Sequence, residues 1–237
     1  MTIAAGLLAS TLAPAAARPL PGVAANCPAH ASAVVEHFMG ADCMDCWKAT
    51  PPAPGAGTVG DTEWSMDWIA PAAADTDQAP MAPGALPEAA DRLARIGAGL
   101  PAMLATPPSA FDASTVLAAP SAKRRFYVHS SLPHNGYMGV QLHATGVWPE
   151  GSTGWIALVE LIPVGVRDTV IPRRLVRVLV GPLKLPAGPG AINAVAPLYG
   201  LRWPENAHAD QLVATAWIES ADGRITQIAT DRCVDPK

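Results

Sequence analysis

Apolar and polar positions follow two rhythms along this chain of 237 residues, and the change from one to the other organises it. The run Ala31-Ser32-Ala33-Val34-Val35-Glu36-His37-Phe38-Met39 is mostly apolar and ends at Gly40, the pattern of a buried strand. Residues 62–69 carry Trp64, Met66 and Trp68 at every second position, the period of a strand with one buried face. Residues 87–98 switch to helical spacing. Leu86, Ala90, Leu93 and Ile96-Gly97 share one face, Pro87 suits the first turn, and Glu88 and Asp91 favour its positive end. Residues 100–105 read as a short strand.

Beyond residue 120 the character of the chain changes to a series of strand-forming runs. Strands are expected at residues 125–131, 137–147, 154–163, 173–180, 201–203, 212–220 and 224–230. Asn135-Gly136 and Ala221-Asp222-Gly223 are hairpin turn signals. Ala214, Ala216 and Ile218 should oppose Thr226 and Ile228 across the second of them. Gly181-Pro182 and Ala187-Gly188-Pro189-Gly190 read as turns, and no phosphate loop or dinucleotide glycine motif is present.

Composition sharpens this picture. The chain holds 25 Pro and 20 Gly; residues 50–60 are Pro/Gly-rich, which excludes helix there, and residues 70–83 are of low complexity in Ala, Pro and Asp. Half the residues are hydrophobic and 15% are charged, enough for a core without a membrane span. A formal charge of −4 argues against nucleic acid as a partner, since phosphate binding needs a basic face. The short basic runs Lys123-Arg124-Arg125 and Arg173-Arg174 read as solvated strand ends. Residues 2–12 resemble the apolar part of a secretory signal, although no basic residue precedes them. Cleavage fits after Ala15-Ala16-Ala17 or Val23-Ala24-Ala25, which makes residues 1–26 a leader and places the protein in the periplasm or outside the cell. The run is too short to cross a membrane, which takes roughly 20 apolar residues.

Four cysteines remain: Cys27, Cys43, Cys46 and Cys233. An even number in an exported chain favours disulfides, and three pairings are open. The favoured one joins Cys43 to Cys46 as a local redox pair and Cys27 to Cys233 as a staple of the chain ends. On the chain-entropy model such a staple contributes up to about 4–5 kcal/mol. A strand running into Cys-x-x-Cys is the arrangement of thioredoxin-like redox sites. A helix beginning at the first cysteine stabilises its thiolate, and the second sulfur lies close enough to resolve a mixed disulfide. Half of a zinc site has the same spacing, but no second half is present. Met39, Met44, Cys43, Cys46 and His37 offer an alternative set of soft ligands for Cu(I); strand alternation favours a structural role for His37. His129, His134, His143 and His208 are scattered, and Trp64, Trp68, Trp148, Trp155, Trp203 and Trp217 read as core residues.

The segment Ala33-Val34-Val35-Glu36-His37-Phe38-Met39-Gly40-Ala41-Asp42-Cys43-Met44-Asp45-Cys46 resembles the opening of the secreted, thioredoxin-like family known as domain of unknown function 1223. Met66-Asp67-Trp68 resembles the second strand of that family, residues 89–103 its helix and following strand, and residues 167–178 a later stretch. The resemblance implies that Cys43 attacks, that Cys46 resolves, and that Pro101 takes the place of the thioredoxin cis-proline beside them. Pro51, Pro52 and Pro54 stop the helix after roughly one turn where the family continues it, and Leu100 stands where the family has Thr. The expected fold is α+β: a reduced thioredoxin-like unit over residues 27–120, then an antiparallel β-rich region over 121–237. The expected function is an exported thiol-disulfide oxidoreductase or redox sensor with a protein thiol or disulfide as partner and no cofactor. A non-enzymatic envelope or interaction protein with structural disulfides is the first alternative, and a Cu(I)-handling protein the second.

Overall fold

The computed structural model describes residues 31–49, 63–71, 79–96, 110–117, 124–185, 193–195 and 197–231. The apolar run at the start becomes β1 (Ala33–Gly40), followed at once by the five-residue helix α1 (Met44–Lys48). The Trp-x-x-x-Trp alternation becomes β2 (Glu63–Ala70), and the helical spacing becomes α2 (Glu88–Arg95). Then come β3 (Ala110–Val116), β4 (Arg125–Ser130), β5 (Tyr137–Thr145), β6 (Thr153–Ile162), β7 (Arg173–Lys184), β8 (Asn193–Val195), β9 (Tyr199–Arg202), β10 (Leu212–Glu219) and β11 (Ile225–Thr230). The expected strand at residues 100–105 lies outside the described residues.

These strands do not separate into a thioredoxin-like unit and a β-rich region, so the expected fold class is overturned. Strands from both halves share one seven-stranded mixed sheet, ordered β11-β10-β6-β7-β2-β1-β3, and the described residues contain only two α-helices. The joint lies at β7. Its apolar run lets it pair with β6 antiparallel on one side and with β2 parallel on the other. The β2–β7 pairing is brief, with Asp67 opposite Leu175. Asp67 reinforces it by accepting the backbone N–H of Arg174 at 2.7 Å and the side chain of Arg173 at 3.0 Å.

Both faces of the middle strands are covered. On one face, α2 lays Ala89 and Leu93 against Phe38, Trp64, Trp68, Trp155 and Trp217. Phe38 stacks on Trp68 at 5.8 Å, and Trp68 meets Trp217 edge-on at 6.1 Å. Such pairs add about 0.5–1.5 kcal/mol each beyond area burial. On the other face, Ile156, Leu158, Leu212, Ala214 and Ala216 pack against Val128, Met138, Val140 and Leu142 of a second sheet built from β4, β5, β8 and β9. This two-sided cover is why every residue of β10 is buried.

The hairpin around Asp222-Gly223 forms as expected, with its register displaced: Ala216 faces Ala229, Trp217 faces Ile228, and a bulge follows at Ile218/Glu219. Gly223 is left-handed (φ +80°), and a Cβ there would lie 2.3 Å from the Arg95 carbonyl oxygen. The turn and the end of α2 therefore approach as closely as glycine allows.

Candidate functional site

At the carboxyl end of β1 the chain turns through Gly40, Ala41 and Asp42 into α1, with Cys43 at the N-cap. Cys43 and Cys46 are joined in a disulfide with their Cα atoms 5.3 Å apart. The Cys43 sulfur also accepts the Cys46 backbone N–H at 3.3 Å. Cys43 is 8% exposed, whereas Cys46 is half-buried and the more accessible of the two. Pro101, the third residue singled out for this site, lies outside the described residues, as do Cys27, Cys233 and the leader.

The side chains that hold this pair in place were not apparent from sequence. Arg173 reaches α1 from the start of β7 and is 1% exposed, not a solvated strand end. One of its terminal nitrogens donates to the carbonyls of Trp47 (2.6 Å), Ala49 (2.7 Å) and Cys46 (3.3 Å), while the other pairs with Asp67 at 3.0 Å. The last carbonyls of a helix have no partner within it, so a buried guanidinium here replaces the rest of the helix that the prolines remove. Trp47, buried beneath Arg173, donates its indole N–H to the Arg167 carbonyl at 2.8 Å. That bond ties α1 to a turn in which Arg167 and Asp168 both adopt left-handed backbone (φ +52° and +60°), a conformation non-glycine residues hold only when their surroundings enforce it.

Beside this turn opens a cleft of about 570 Å³. Met44, Trp47, Ile69, Met81 and Leu175 give it an apolar wall, and Arg167, Asp168, Glu205 and His208 stand along its polar side. Below it lies a buried ionic group. Glu160 is completely buried and bonds both terminal nitrogens of Arg167 (3.0 and 3.2 Å), with Arg177 alongside at 3.4 Å. Burial pushes the Arg177 guanidinium below its ordinary value; the charge of Glu160 opposes that shift and the neighbouring Arg167 adds to it. The one signal of these groups in the sequence is a charge inside an apolar strand, as in Met66-Asp67-Trp68 and Leu175-Val176-Arg177-Val178.

His37 is occupied elsewhere, with its Nδ1 2.7 Å from Asp112. With both sulfurs in the disulfide as well, the soft-ligand set is not assembled. Among the described residues no group of three or more His, Cys, Asp and Glu side chains is placed to hold a metal ion. Among the same residues, no helix is long and apolar enough to cross a membrane.

No family model matches the chain, and no curated protein matches it. Among solved structures it is similar to HBP35 of Porphyromonas gingivalis, at 7% sequence identity and a TM-score of 0.48, over 88% of this chain and 79% of that one.

Proposed function

We propose that Cys43 and Cys46 are the working pair of an exported thiol-disulfide protein. The observation that carries this reading is a disulfide across two intervening residues, with one cysteine half-buried and the other accepting a backbone N–H at its sulfur. An incoming thiolate meets Cys46 first. It forms a mixed disulfide there and expels Cys43 as a thiolate, which the Cys46 N–H stabilises. A second thiolate from the partner then displaces Cys46, leaving the partner oxidised to a disulfide and this protein reduced to two thiols after proton uptake. The exposure order makes Cys46 the sulfur met first, the reverse of the roles implied by the resemblance to domain of unknown function 1223. Membership of that family and export to the periplasm or medium belong to the same proposal.

A second reading is a static clip, favoured by the 8% exposure of Cys43 and by the grip of Arg173 on α1. Equilibration with thiol buffers of graded potential, read by alkylation and mass mapping, separates the two. A working pair opens well above about −300 mV, whereas a structural disulfide resists to that value or lower. Resistance of Cys43–Cys46 through that range ends the redox proposal. The same peptide map shows whether Cys27 and Cys233 are joined, and the N-terminus of the protein recovered from the cell envelope or medium shows whether a leader has been removed.

A further inference from the structure

Independently of the cysteines, we infer that the cleft beside α1 binds a small organic carboxylate, with the acid group at Arg177 and an apolar chain along Met44, Met81, Ile69 and Leu175. The first support is charge. Two guanidinium groups, Arg167 and Arg177, share the single buried carboxylate of Glu160, so the group keeps one uncompensated positive charge under the cleft. A buried unpaired charge is costly, and an arriving anion removes that cost. Asp168 and Glu205 on the rim do not supply this anion: both are solvent-exposed, and Asp168 faces Lys48 at 3.9 Å.

The second support is an unmet donor. Arg177 is 4% exposed, and its Nη1 has no hydrogen-bond partner. Its Nη2 donates to the side-chain oxygen of Asn206, a neutral acceptor on an exposed residue whose own amide nitrogen donates to the Pro83 carbonyl. Asn206 therefore acts as a removable cap. A carboxylate that displaces its oxygen brings two acceptors and a charge where the amide brings one acceptor and none, and planar two-point pairing is what arginine favours. Gly84 lies against the same space: a Cβ there would meet Ile69 Cδ1 at 2.8 Å and stand 3.4 Å from Nη1. The third support is size and texture. About 570 Å³ is in the range of small-molecule pockets, and two methionines in the wall adapt to an unbranched chain.

The test is calorimetric titration of the full chain with octanoate and with octanol, which share the apolar chain and differ in charge. Octanoate should bind saturably and at least tenfold more tightly than octanol. Asn206→Ala, on an exposed residue, should tighten octanoate at least threefold, and Arg177→Met should weaken it at least tenfold in protein with native circular dichroism. Should Arg177→Met fail to fold, Asn206→Ala and the octanoate-octanol ratio decide the matter. Absence of saturable octanoate binding, equal affinity for octanol, or unchanged or weaker binding to Asn206→Ala overturns the inference.

Discussion

Two buried ionic groups lie close to the two α-helices among the described residues, one under α2 and one under the cleft beside α1, and they are balanced differently. Under α2, Arg92 grips Glu36 through two bonds (2.9 and 2.5 Å), reaches Glu219 at 3.0 Å, and donates to the Gly223 carbonyl at 2.6 Å; Arg95 completes the group on Glu219. Two carboxylates meet two guanidinium groups. Burial alone would lower the Arg92 guanidinium; its bonds to Glu36 and the charges of Glu36 and Glu219 outweigh that and raise it. Beside α1, the group under the cleft has two guanidinium groups and one carboxylate, and there burial wins and Arg177 moves down. The contrast teaches that a saturated network is a fastening, while a network one anion short marks a surface open to a partner.

The comparison breaks most readily at Arg92. Arg92→Met strands Glu36 in the core and leaves Glu219 to Arg95 and the Trp217 indole alone, and removal of one partner from a buried pair costs about 3–5 kcal/mol. The midpoint of denaturant unfolding should fall accordingly; a loss below about 1 kcal/mol would mean that α2 is not fastened this way. Arg173→Met comes next, at about 3 kcal/mol, because it removes the ion-pair partner of Asp67, leaving it only the Arg174 backbone N–H, and frees the last carbonyls of α1. It carries a second readout: α1 loosens, so Cys43–Cys46 should open to a lower concentration of reductant than in the parent protein. Unchanged reducibility with lowered stability would show that Arg173 fastens β7 to β2 without positioning the cysteines.

Arg177→Met should be the mildest of the three, at about 1–2 kcal/mol, because Glu160 keeps both bonds from Arg167 and an apolar side chain relieves the buried charge. A loss as large as that of Arg92→Met would make the two networks equivalent and remove the distinction drawn between them.

How much of this was legible in the sequence follows from the range of each interaction. Period-two alternation marked β2, and strand-forming apolar runs between turn signals marked β4, β5, β6, β10 and β11, because both patterns are local. The short helix after Cys43 was legible too, from the prolines that end it. The shared sheet was not, because the β2–β7 contact joins residues more than 100 apart and is reinforced by side chains of both strands, Asp67 and Ser65 on one and Arg173 and Arg174 on the other. Read locally, Arg173-Arg174 looks like a strand end meeting solvent. The carboxylate that makes burial of Arg173 tolerable sits on another strand, and nothing near either residue announces the other. Cys43 and Cys46 were legible as a pair from their spacing; the cleft beside them, assembled from residues between Met44 and His208, was not.

The smallest expected effect lies at the solvent end of the α2 network, where charges do little. Asp222 sits in the turn between β10 and β11, accepting Ser220 Oγ at 2.5 Å and Arg224 Nε at 2.7 Å. The Ser220 hydrogen bond first, then that of Arg224, hold its carboxyl below the usual aspartate range. A depressed folded value gives a contribution that is fully present above the unfolded value of about 3.9 and is lost as pH falls through the lower folded one. The group is exposed, so solvent screens it and the change in melting temperature should be at the limit of detection. The expected signature is local. In a carboxyl NMR titration Asp222 should have its midpoint below that of an unperturbed aspartate, and the Gly223 amide, which donates to the Ser220 carbonyl at 2.9 Å, should lose exchange protection over the same pH interval. The Arg92–Gly223 bond beneath the turn should persist, because both its buried carboxylate partners are already met. If acidification opens that bond as well, the turn and the buried network are one cooperative unit, and the fastening of α2 extends to the surface.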